Sequence, residues 1–327
     1  MSEVTRDAAR AVACLRQARR ILITSHASPD GDSLGSALAV RELANALGIT
    51  GRIVQRDPYP ASLSFLPGVD AIQLASSLPP EVVEGFDLAV VLECPGINRP
   101  GLEGLQRLPI LNIDHHLENE RYGVLNYLDE EAPAVGEMVL RMADVAEVPV
   151  SATMATCLYT ALVTDTGDFR YSNATPRAFE AARRLVAAGA VPHQIADALW
   201  NQTPPRIVRL TAEVVGSLEL HAAGRLAVVT CDLGMLARAG ARPEDTENLI
   251  NIPRTMAGVE VAVLFKAFAP QTTRVSLRSR GTVDVQGVAA RFGGGGHRNA
   301  AGCTILLPFR QARQALLDTL APLLEKP

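Results

Sequence analysis

The sequence predicts an α/β protein with two domains. The first is built on a mainly parallel sheet flanked by helices, and a smaller mixed α/β domain follows it. Short apolar runs alternate with helical patterns through the first half, as in a parallel sheet covered by helices. Two extended runs lie close together in the second half, which indicates an antiparallel pair. The length of 327 residues suits about two domains.

The elements of the first half are predicted from their apolar spacing. An amphipathic helix is predicted over residues 4–19. Short buried strands are predicted at 21–24, 51–55, 87–93 and 109–114. Further helices are predicted over 33–47, about 135–142 and 152–163. Because ligands of parallel sheets bind at the carboxyl ends of the strands, the residues after these strands are the first candidates for a site.

The pattern breaks at Trp200–Pro205, and the domain boundary is predicted there. The chain then divides into a first domain over residues 1–200, a helical linker over 201–222 and a second domain over 223–327. Strands of the second domain are predicted at 225–231, 259–268, 273–279 and 302–307. A helix near 284–291, a glycine-rich loop and a C-terminal helix complete it.

Composition and charge exclude several classes of protein. With 48% hydrophobic and 20% charged residues, the chain has a globular and not a disordered composition. Its net charge of −4 disfavours binding of a long polyanion by bulk charge. The N-terminus lacks the apolar core of a signal peptide, and no apolar run approaches the roughly 18 residues of a membrane helix. We therefore expect a cytoplasmic protein without a membrane partner.

Cysteines and lysines are both scarce. The five cysteines are widely spread and include no C-x-x-C pair, so neither a disulfide framework nor a thiolate zinc site is indicated. Lys266 and Lys326 are the only lysines among 31 basic residues. Codon bias is the first explanation for the excess of arginine. A preference for phosphate, which a guanidinium binds with two parallel hydrogen bonds, is the alternative.

The strongest local signal is the segment Ser25–Ser33, which directly follows a buried strand and precedes a helix. It holds His26, Asp30 and Asp32 on one short loop, where they can point at a common centre. Asp32 or Ser33 could instead cap the following helix. Capping alone does not require His26 and Asp30 as well. The segment therefore predicts a metal site.

Three further groups of candidate metal-ligating residues lie at the ends of predicted strands and helices. Asp114, His115 and His116 follow an apolar strand, and strand alternation predicts opposite directions and different roles for the two histidines. Glu93 ends another strand, where a buried carboxylate is costly unless it is paired or bound to a metal. Asp165 ends a helical run before a glycine, and by itself it could be an ordinary C-terminal turn.

These side chains combine imidazole and carboxylate and include no thiolate. Such a set suits Mn²⁺, Mg²⁺ or a catalytic Zn²⁺. The acids are more numerous than one divalent ion needs. Two ions about 3.5–4 Å apart are the usual arrangement for phosphoryl hydrolysis, since they activate a water and clamp the phosphate oxygens.

At this point the chain resembles the DHH phosphoesterase superfamily. The triplet Asp114-His115-His116 and the H-x-x-x-D-x-D spacing of His26, Asp30 and Asp32 are its motifs. Glu93 and Asp165 follow in family order, and the segment Gly293–Gly302 is similar to the signature of the DHH-associated second domain. The resemblance covers nearly the whole chain. Size and layout are most similar to the group of nanoRNases and 3′-phosphoadenosine 5′-phosphate (pAp) phosphatases.

The resemblance implies two divalent metal ions, with Mn²⁺ the first choice and Mg²⁺ or Co²⁺ as alternatives. His26 and Asp30 would hold one ion, and Glu93 would bridge both. The other ion would be held by Asp32, His115 and Asp165.

It also implies two catalytic residues. His116 would face the scissile phosphate and help to protonate the leaving oxygen, and Asp114 would orient the histidines. The family more often has aspartate where this chain has Glu93. The extra methylene moves the carboxylate by about 1.5 Å.

The resemblance assigns substrate contacts to the second domain. Arg278, Arg280 and His297 would grip the non-scissile end of a nucleotide, and surface arginines are the alternative. The backbone of Gly294, Gly295 and Gly296 would offer N–H groups to an anion, and a flexible turn is the alternative. Arg99 and Arg170, beside the motifs of the first domain, are further candidates, with ordinary salt bridges as the alternative.

The implied function is metal-dependent hydrolysis of short oligoribonucleotides to mononucleotides and of pAp to AMP. A catalytic cleft between the domains would limit substrate length, and the aromatic content of 4% agrees with short substrates. Hydrolysis of cyclic dinucleotides or of pApA and pGpG remains an alternative, as does a catalytically weak nucleotide sensor. The oligomeric state is open, with a homodimer as the candidate assembly.

Overall fold

A computed structural model describes residues 3–246 and 248–324 of the chain. It divides into two compact units, Met1–Gln202 and Thr203–Pro327. Each unit has its own sheet and its own hydrophobic core. Among the described residues, no helix is long and apolar enough to cross a membrane.

Six strands form a single parallel sheet within residues 3–202. The strands are β1 Arg20–Thr24, β2 Thr50–Gln55, β3 Gln73–Leu74, β4 Leu88–Leu92, β5 Ile110–Asp114 and β6 Leu125–Leu128. The helices are α1 Glu3–Leu15, α2 Gly31–Ala46, α3 Pro80–Val83, α4 Val135–Ala146, α5 Ala152–Asp165, α6 Pro176–Ala187 and α7 Pro192–Trp200. The order β3-β2-β1-β4-β5-β6 confirms the predicted mainly parallel sheet.

Strand β4 is central and buried on both faces, as expected for a parallel sheet with two covering layers. Val90 and Leu92 pack into the main core, whereas Ala89 and Val91 pack into a second cluster on the other face. The chain leaves β1 for β2 on one side and returns to β4 on the other. This reversal creates a crevice at the carboxyl ends of β1 and β4.

Helices α2, α4 and α5 approach closely because glycines lie at their contacts. A Cβ at Gly35 of α2 would clash with the carbonyl oxygen of Cys157 in α5. A Cβ at Gly136 of α4 would lie 2.6 Å from Cβ of Ala161. The close approach brings the start of α2 and the end of α5 to the same edge of the sheet.

Six strands also form the sheet of the second unit, within residues 203–246 and 248–324. They are β7 Glu219–His221, β8 Leu226–Asp232, β9 Val261–Ala269, β10 Thr272–Ser279, β11 Gly295–His297 and β12 Ala300–Ile305. The helices are α8 Pro205–Gly216, α9 Leu233–Ala239, α10 Asn251–Arg254, α11 Val285–Ala290 and α12 Phe309–Leu324. In the order β11-β12-β10-β9-β8-β7 the pair β8–β9 is parallel and the other pairs are antiparallel, which confirms a mixed second sheet.

Two segments differ from the sequence-based expectation. Helix α8 ends at Gly216 and buries Leu210 and Val214 in the core of the second unit, so it packs as part of that unit. The expected glycine-rich loop contains the edge strand β11. The short strands β6, β7 and β11 were not predicted, because three or four residues are too few to show a periodicity.

The glycine contact between α2 and α5 gives a stability prediction. Gly35→Ala lowers the free energy of unfolding by about 1–3 kcal/mol, because the added methyl forces two packed helices apart. Urea unfolding measures the change. Gly216→Ala is the control, since nothing lies within 4 Å of a Cβ built there, and its stability should be unchanged or higher. Equal losses in both variants would contradict the close packing.

Candidate active site

Polar side chains from four segments meet at the carboxyl edge of the parallel sheet. The segments are the loop after β1, the residue after β4, the end of β5 and the end of α5. Their ligand atoms form three overlapping groups, each within 4.8 Å. These are His26, Asp30 and Glu93; Asp32, Glu93, His115 and Asp165; and Glu93, His115 and His116. Glu93 belongs to all three groups.

Glu93 is a buried carboxylate in a costly position. Only 3% of the residue is exposed, and its backbone φ of 59° lies in the left-handed region that a non-glycine residue rarely adopts. Oε1 lies 3.4 Å from Nε2 of His115 and 3.8 Å from Nε2 of His116. Oε2 is buried and has no hydrogen-bond partner among the described residues. A buried anionic oxygen without a partner is explained by a cation, so the site fits a metal.

His26 and Asp30 flank Glu93 on one side. Nδ1 of His26 donates to the carbonyl of Ala27 at 2.9 Å, which leaves Nε2, 3.7 Å from Oδ1 of Asp30, as a free acceptor. Asp30 is also the N-cap of α2, with Oδ1 accepting from the backbone N–H of Ser33 at 3.0 Å. Ser33 completes a capping box, because its hydroxyl accepts from the backbone N–H of Asp30 at 2.9 Å. The N-cap is therefore Asp30, and of the two residues expected to cap the helix only Ser33 takes part.

Asp32 is fully buried at the N-terminus of α4. Its Oδ2 accepts from the backbone N–H of Val135 at 2.7 Å, and its Oδ1 accepts from Gly136 and from the hydroxyl of Ser36, both at 2.9 Å. The unpaired N–H groups and the dipole of α4 favour the anion at this place. These three hydrogen bonds fix the orientation of the carboxylate.

The two histidines after β5 both turn Nε2 toward Glu93. The prediction that they point in opposite directions is wrong, because β5 ends at Asp114 and strand alternation does not extend to them. Their second nitrogens do differ. Nδ1 of His115 donates to the carbonyl of Ala132 at 2.9 Å, whereas Nδ1 of His116 contacts Oδ1 of Asp114 at 2.8 Å.

Asp114 therefore orients one histidine and not both, which corrects the expectation. It is fully buried, and its Oδ2 accepts from the side-chain amide of Asn119 at 2.6 Å. The same amide donates to the side-chain oxygen of Asn112 at 2.9 Å. This buried chain of amides fixes the carboxylate that holds His116.

One backbone segment, residues 132–136, holds three of the acidic and imidazole groups at once. The carbonyl of Ala132 accepts from His115, and the N–H groups of Val135 and Gly136 donate to Asp32. The carbonyl of Pro133 accepts from the amide of Asn173 at 3.0 Å, and that amide also donates to Oδ2 of Asp165 at 3.3 Å. The sequence analysis missed Asn173, since only the fold brings it to this segment.

An ion-pair network holds this segment in place. Asp129, just before it, accepts from Arg141 and Arg177, both at 2.7 Å. Glu137, just after it, accepts from the same guanidinium groups at 2.9 and 2.6 Å. Asp129 and Glu137 are buried, so the pairs are shielded from solvent. No sequence spacing pointed to this network.

The crowding of carboxylates shifts their pKa values. Burial raises the pKa of Asp165, repulsion from Glu93 and Asp30 raises it further, and His115 lowers it, with the result at about 6. Burial, with repulsion from Glu93, raises the pKa of Asp32 well above its usual range. Burial lowers the pKa of His115, but the hydrogen bond to Glu93 and the charge of Asp32 outweigh it and raise the pKa to about 10. Protons and divalent cations therefore compete for this cluster.

The remaining candidates of the first unit lie on loops beside these groups. Arg99 is exposed, and its carbonyl accepts from the N–H of Ala27 at 2.9 Å. Arg170 is exposed, and its Nε donates to the carbonyl of Gly167 at 2.8 Å. Within residues 3–246 and 248–324 neither makes an ion pair with an acid, so the salt-bridge alternative does not account for them.

Two candidates of the second unit, Arg278 and His297, share one face of its sheet. Arg278 pairs with Ala300, and Ala300 pairs with His297, so these residues lie in one cross-strand row. Arg280 follows β10 and is exposed.

The glycine run has a packing role. A Cβ at Gly294 would clash with the carbonyl oxygen of Gly302, and one at Gly296 would lie 2.5 Å from that of Ala300. Gly295 pairs with Gly302 and has open space where a Cβ would lie. Close approach to β12 thus requires two of the glycines, and the run is not simply a loop.

Comparison with known proteins follows the same division. Residues 20–162 match the DHH family, N-terminal domain, and residues 224–326 match the DHHA1 domain. The bifunctional oligoribonuclease and PAP phosphatase NrnA of Thermus thermophilus is 34% identical over 91% of this chain and 88% of its own. The Bacillus subtilis protein of the same name is 27% identical over 87% of this chain and 89% of its own. An exopolyphosphatase-related protein from Bacteroides fragilis shares the fold, with a TM-score of 0.84 over the whole of both chains at 23% identity.

The fold and the carboxylate–histidine cluster define a phosphoesterase. The chain belongs to the DHH family and carries the DHHA1 domain. The resemblance found in the sequence and the predicted fold class are confirmed. The assignment of single residues to ions and to substrate stays a prediction.

The raised pKa of Asp165 gives a prediction about pH. Between its unfolded value of 3.8 and about 6, the folded metal-free protein binds a proton that the unfolded chain has lost, so its stability falls as pH rises through this window. A cation removes that penalty. Mn²⁺ should therefore raise Tm more at about pH 8 than at about pH 5. Thermal unfolding with and without Mn²⁺ measures this, and an equal rise at both pH values would contradict it.

The Asn173 bridge gives a second prediction. Asn173→Ala frees Asp165 from the segment 132–136 and should weaken Mn²⁺ binding by about 10- to 100-fold. Titration calorimetry measures the affinity. Asn45→Ala, at an exposed position of α2, is the control and should bind Mn²⁺ as the wild type does. If both variants bind equally well, Asn173 does not position the cluster.

Proposed function

We propose that this chain hydrolyses short oligoribonucleotides to mononucleotides and converts pAp to AMP. The observation that carries the proposal is the convergence of separate ligand groups on the single carboxylate of Glu93. Two neighbouring cation sites that share one carboxylate are typical of phosphoryl hydrolysis. The names of the NrnA relatives support the choice of substrates. A homodimer and a cytoplasmic location stay predictions.

The metal proposed for both sites is Mn²⁺, which the family resemblance implies and which a mixture of imidazole and carboxylate donors fits. His26 and Asp30 would hold one ion, Glu93 would bridge, and the remaining ion would be held by Asp32, His115 and Asp165. When bound, the two cations lower the pKa of water and neutralise charge on the phosphate oxygens.

His116 is the proposed proton donor to the leaving oxygen. The pKa of His116 is raised, first by its hydrogen bond to Asp114. Burial lowers this pKa, whereas the negative charges of Asp114 and Glu93 raise it further. The imidazolium is thus favoured, with Nδ1–H donated to Asp114 and Nε2–H available. The exposure of its side chain, larger than that of His115, gives Nε2 access to a substrate.

The two units would divide the work. We assign metal binding and catalysis to the first unit, and the grip on the non-scissile end to the second. Arg278, Arg280, His297 and the backbone of Gly294–Gly296 would supply that grip, with Arg99 and Arg170 as contacts from the first unit. A guanidinium matches a phosphate with two parallel hydrogen bonds, which supports the role of the arginines.

Product analysis tests the proposal. The purified protein is incubated with Mn²⁺ and, in separate tubes, with pAp, a 5′-phosphorylated diribonucleotide, cyclic di-AMP and a long RNA. We expect mononucleotide from pAp and from the dinucleotide, with the long RNA spared. Rapid loss of cyclic di-AMP alone would contradict the proposal and indicate a cyclic-dinucleotide phosphodiesterase. The absence of product in every tube would favour a nucleotide sensor.

The role of His116 gives a separate prediction. His116→Gln should lower kcat on pAp by about 10²- to 10⁴-fold, because proton donation to the leaving oxygen is lost. Calorimetry should show Mn²⁺ binding retained. His193→Gln, at an exposed position of α7, should leave kcat unchanged. A His116→Gln variant with wild-type kcat would exclude the residue as the proton donor.

A further inference from the structure

Arg254 is a cationic residue of the second unit to which neither the metal site nor the proposed substrate contacts assign a role. It ends the short helix α10, which packs on the face of the sheet that carries Ala262 and Leu264. Its Nε–H is buried and has no hydrogen-bond partner in the part of the chain that the structure describes. Among residues 203–246 and 248–324 its guanidinium makes no ion pair. A buried donor without a partner is costly, so the position calls for an acceptor that the described residues do not supply.

Arg278 lies on the same face as α10 and is its charged neighbour. Along β10, Val275 and Leu277 pack into the core with α12, so Arg278 projects from the opposite face, beside Ala262 of β9. Its side chain donates to the carbonyl of Leu277, at 3.0 Å, and makes no other hydrogen bond within residues 3–246 and 248–324. Burial lowers the pKa of Arg278, and the nearby charge of Arg254 lowers it further.

Two partly buried guanidinium groups thus lie on elements that contact each other, and no carboxylate among the described residues pairs with either of them. The acid closest in register is Glu260, two residues before Ala262, and its carboxylate already accepts from Arg225 at 2.8 and 3.1 Å. Small residues, Ala262 and Ala300, flank Arg278 in the sheet. Like charges held side by side repel each other, and an anion between them removes the repulsion.

We propose that Arg254 and Arg278 together form a binding site for a phosphate monoester. Two guanidinium groups carry two positive charges, which match the dianion of a terminal phosphate better than the single charge of an internal diester. His297 lies in the same cross-strand row as Arg278, two strands away, which is about 10 Å. The inference rests on the proposed function, and within it Arg254 selects substrates that end in a phosphate.

The experiment compares two substrates and one ligand with the Mn²⁺-loaded protein. The substrates are a diribonucleotide with and without a 5′-phosphate, and the ligand is AMP. Arg254→Gln should lower kcat/KM for the phosphorylated dinucleotide by about 10- to 100-fold, through KM, and leave the unphosphorylated one nearly unchanged. AMP binding, measured by calorimetry, should weaken by a similar factor. Arg254→Lys should recover part of the loss, since the charge returns without the second hydrogen bond.

Two controls separate this role from a structural one. Arg274 is exposed on the same face of β10. Arg274→Gln should therefore change neither the kcat/KM values for the two dinucleotides nor the affinity for AMP. The Tm of Arg254→Gln should equal or exceed that of the wild type, because an unpaired donor and a repulsion are removed. A lower Tm together with an equal loss on both dinucleotides would overturn the proposal. So would AMP binding to Arg254→Gln at wild-type affinity.

The outcome also separates this inference from the proposed function. If the wild type cleaves neither dinucleotide, the proposed function fails, and AMP binding still decides the role of Arg254. If the wild type cleaves both and Arg254→Gln acts on them in the wild-type ratio, only the phosphate site fails.

Discussion

The site of the first unit depends on one buried carboxylate, that of Glu93, which belongs to all three groups of ligand atoms. It is buried, its backbone is strained, and one of its oxygens has no partner among the described residues. Asp32 and Asp165 lie close enough to repel it, and the imidazole of His115 offsets only part of that repulsion. Such a cluster destabilises the folded protein when no cation is bound and stabilises it when divalent cations are bound. The repulsion between carboxylates that opposes folding is therefore also what favours cation binding.

The fold assembles this cluster by bringing distant segments to one edge. The reversal of strand order between β1 and β4 opens a crevice where the two loops meet. Gly35 and Gly136 let α2, α4 and α5 pack closely enough for Asp32 and Asp165 to face the same point. The segment 132–136 then fixes the orientation of these groups through backbone hydrogen bonds.

The sequence predicts the residue types of the site better than their orientation. Histidines and aspartates that follow strands can be recognised because each motif is contiguous. The hydrogen bonds that the carbonyl of Ala132 accepts and the amides of Asn119 and Asn173 donate could not be predicted, since they depend on the folded backbone. The prediction that His115 and His116 point in opposite directions is wrong because β5 ends at Asp114, one residue before His115. Arg254 was missed because an isolated arginine carries no pattern in the sequence.

The central claim is that Glu93 serves two cation sites at once. Counting Mn²⁺ per chain by mass spectrometry after equilibrium dialysis tests it directly, with the wild type, Glu93→Gln and, as a control, the exposed Glu103→Gln. We expect two ions in the wild type and in Glu103→Gln, and the loss of both tightly bound ions in Glu93→Gln. A Glu93→Gln variant that keeps two ions, or a wild type that binds one, would contradict it.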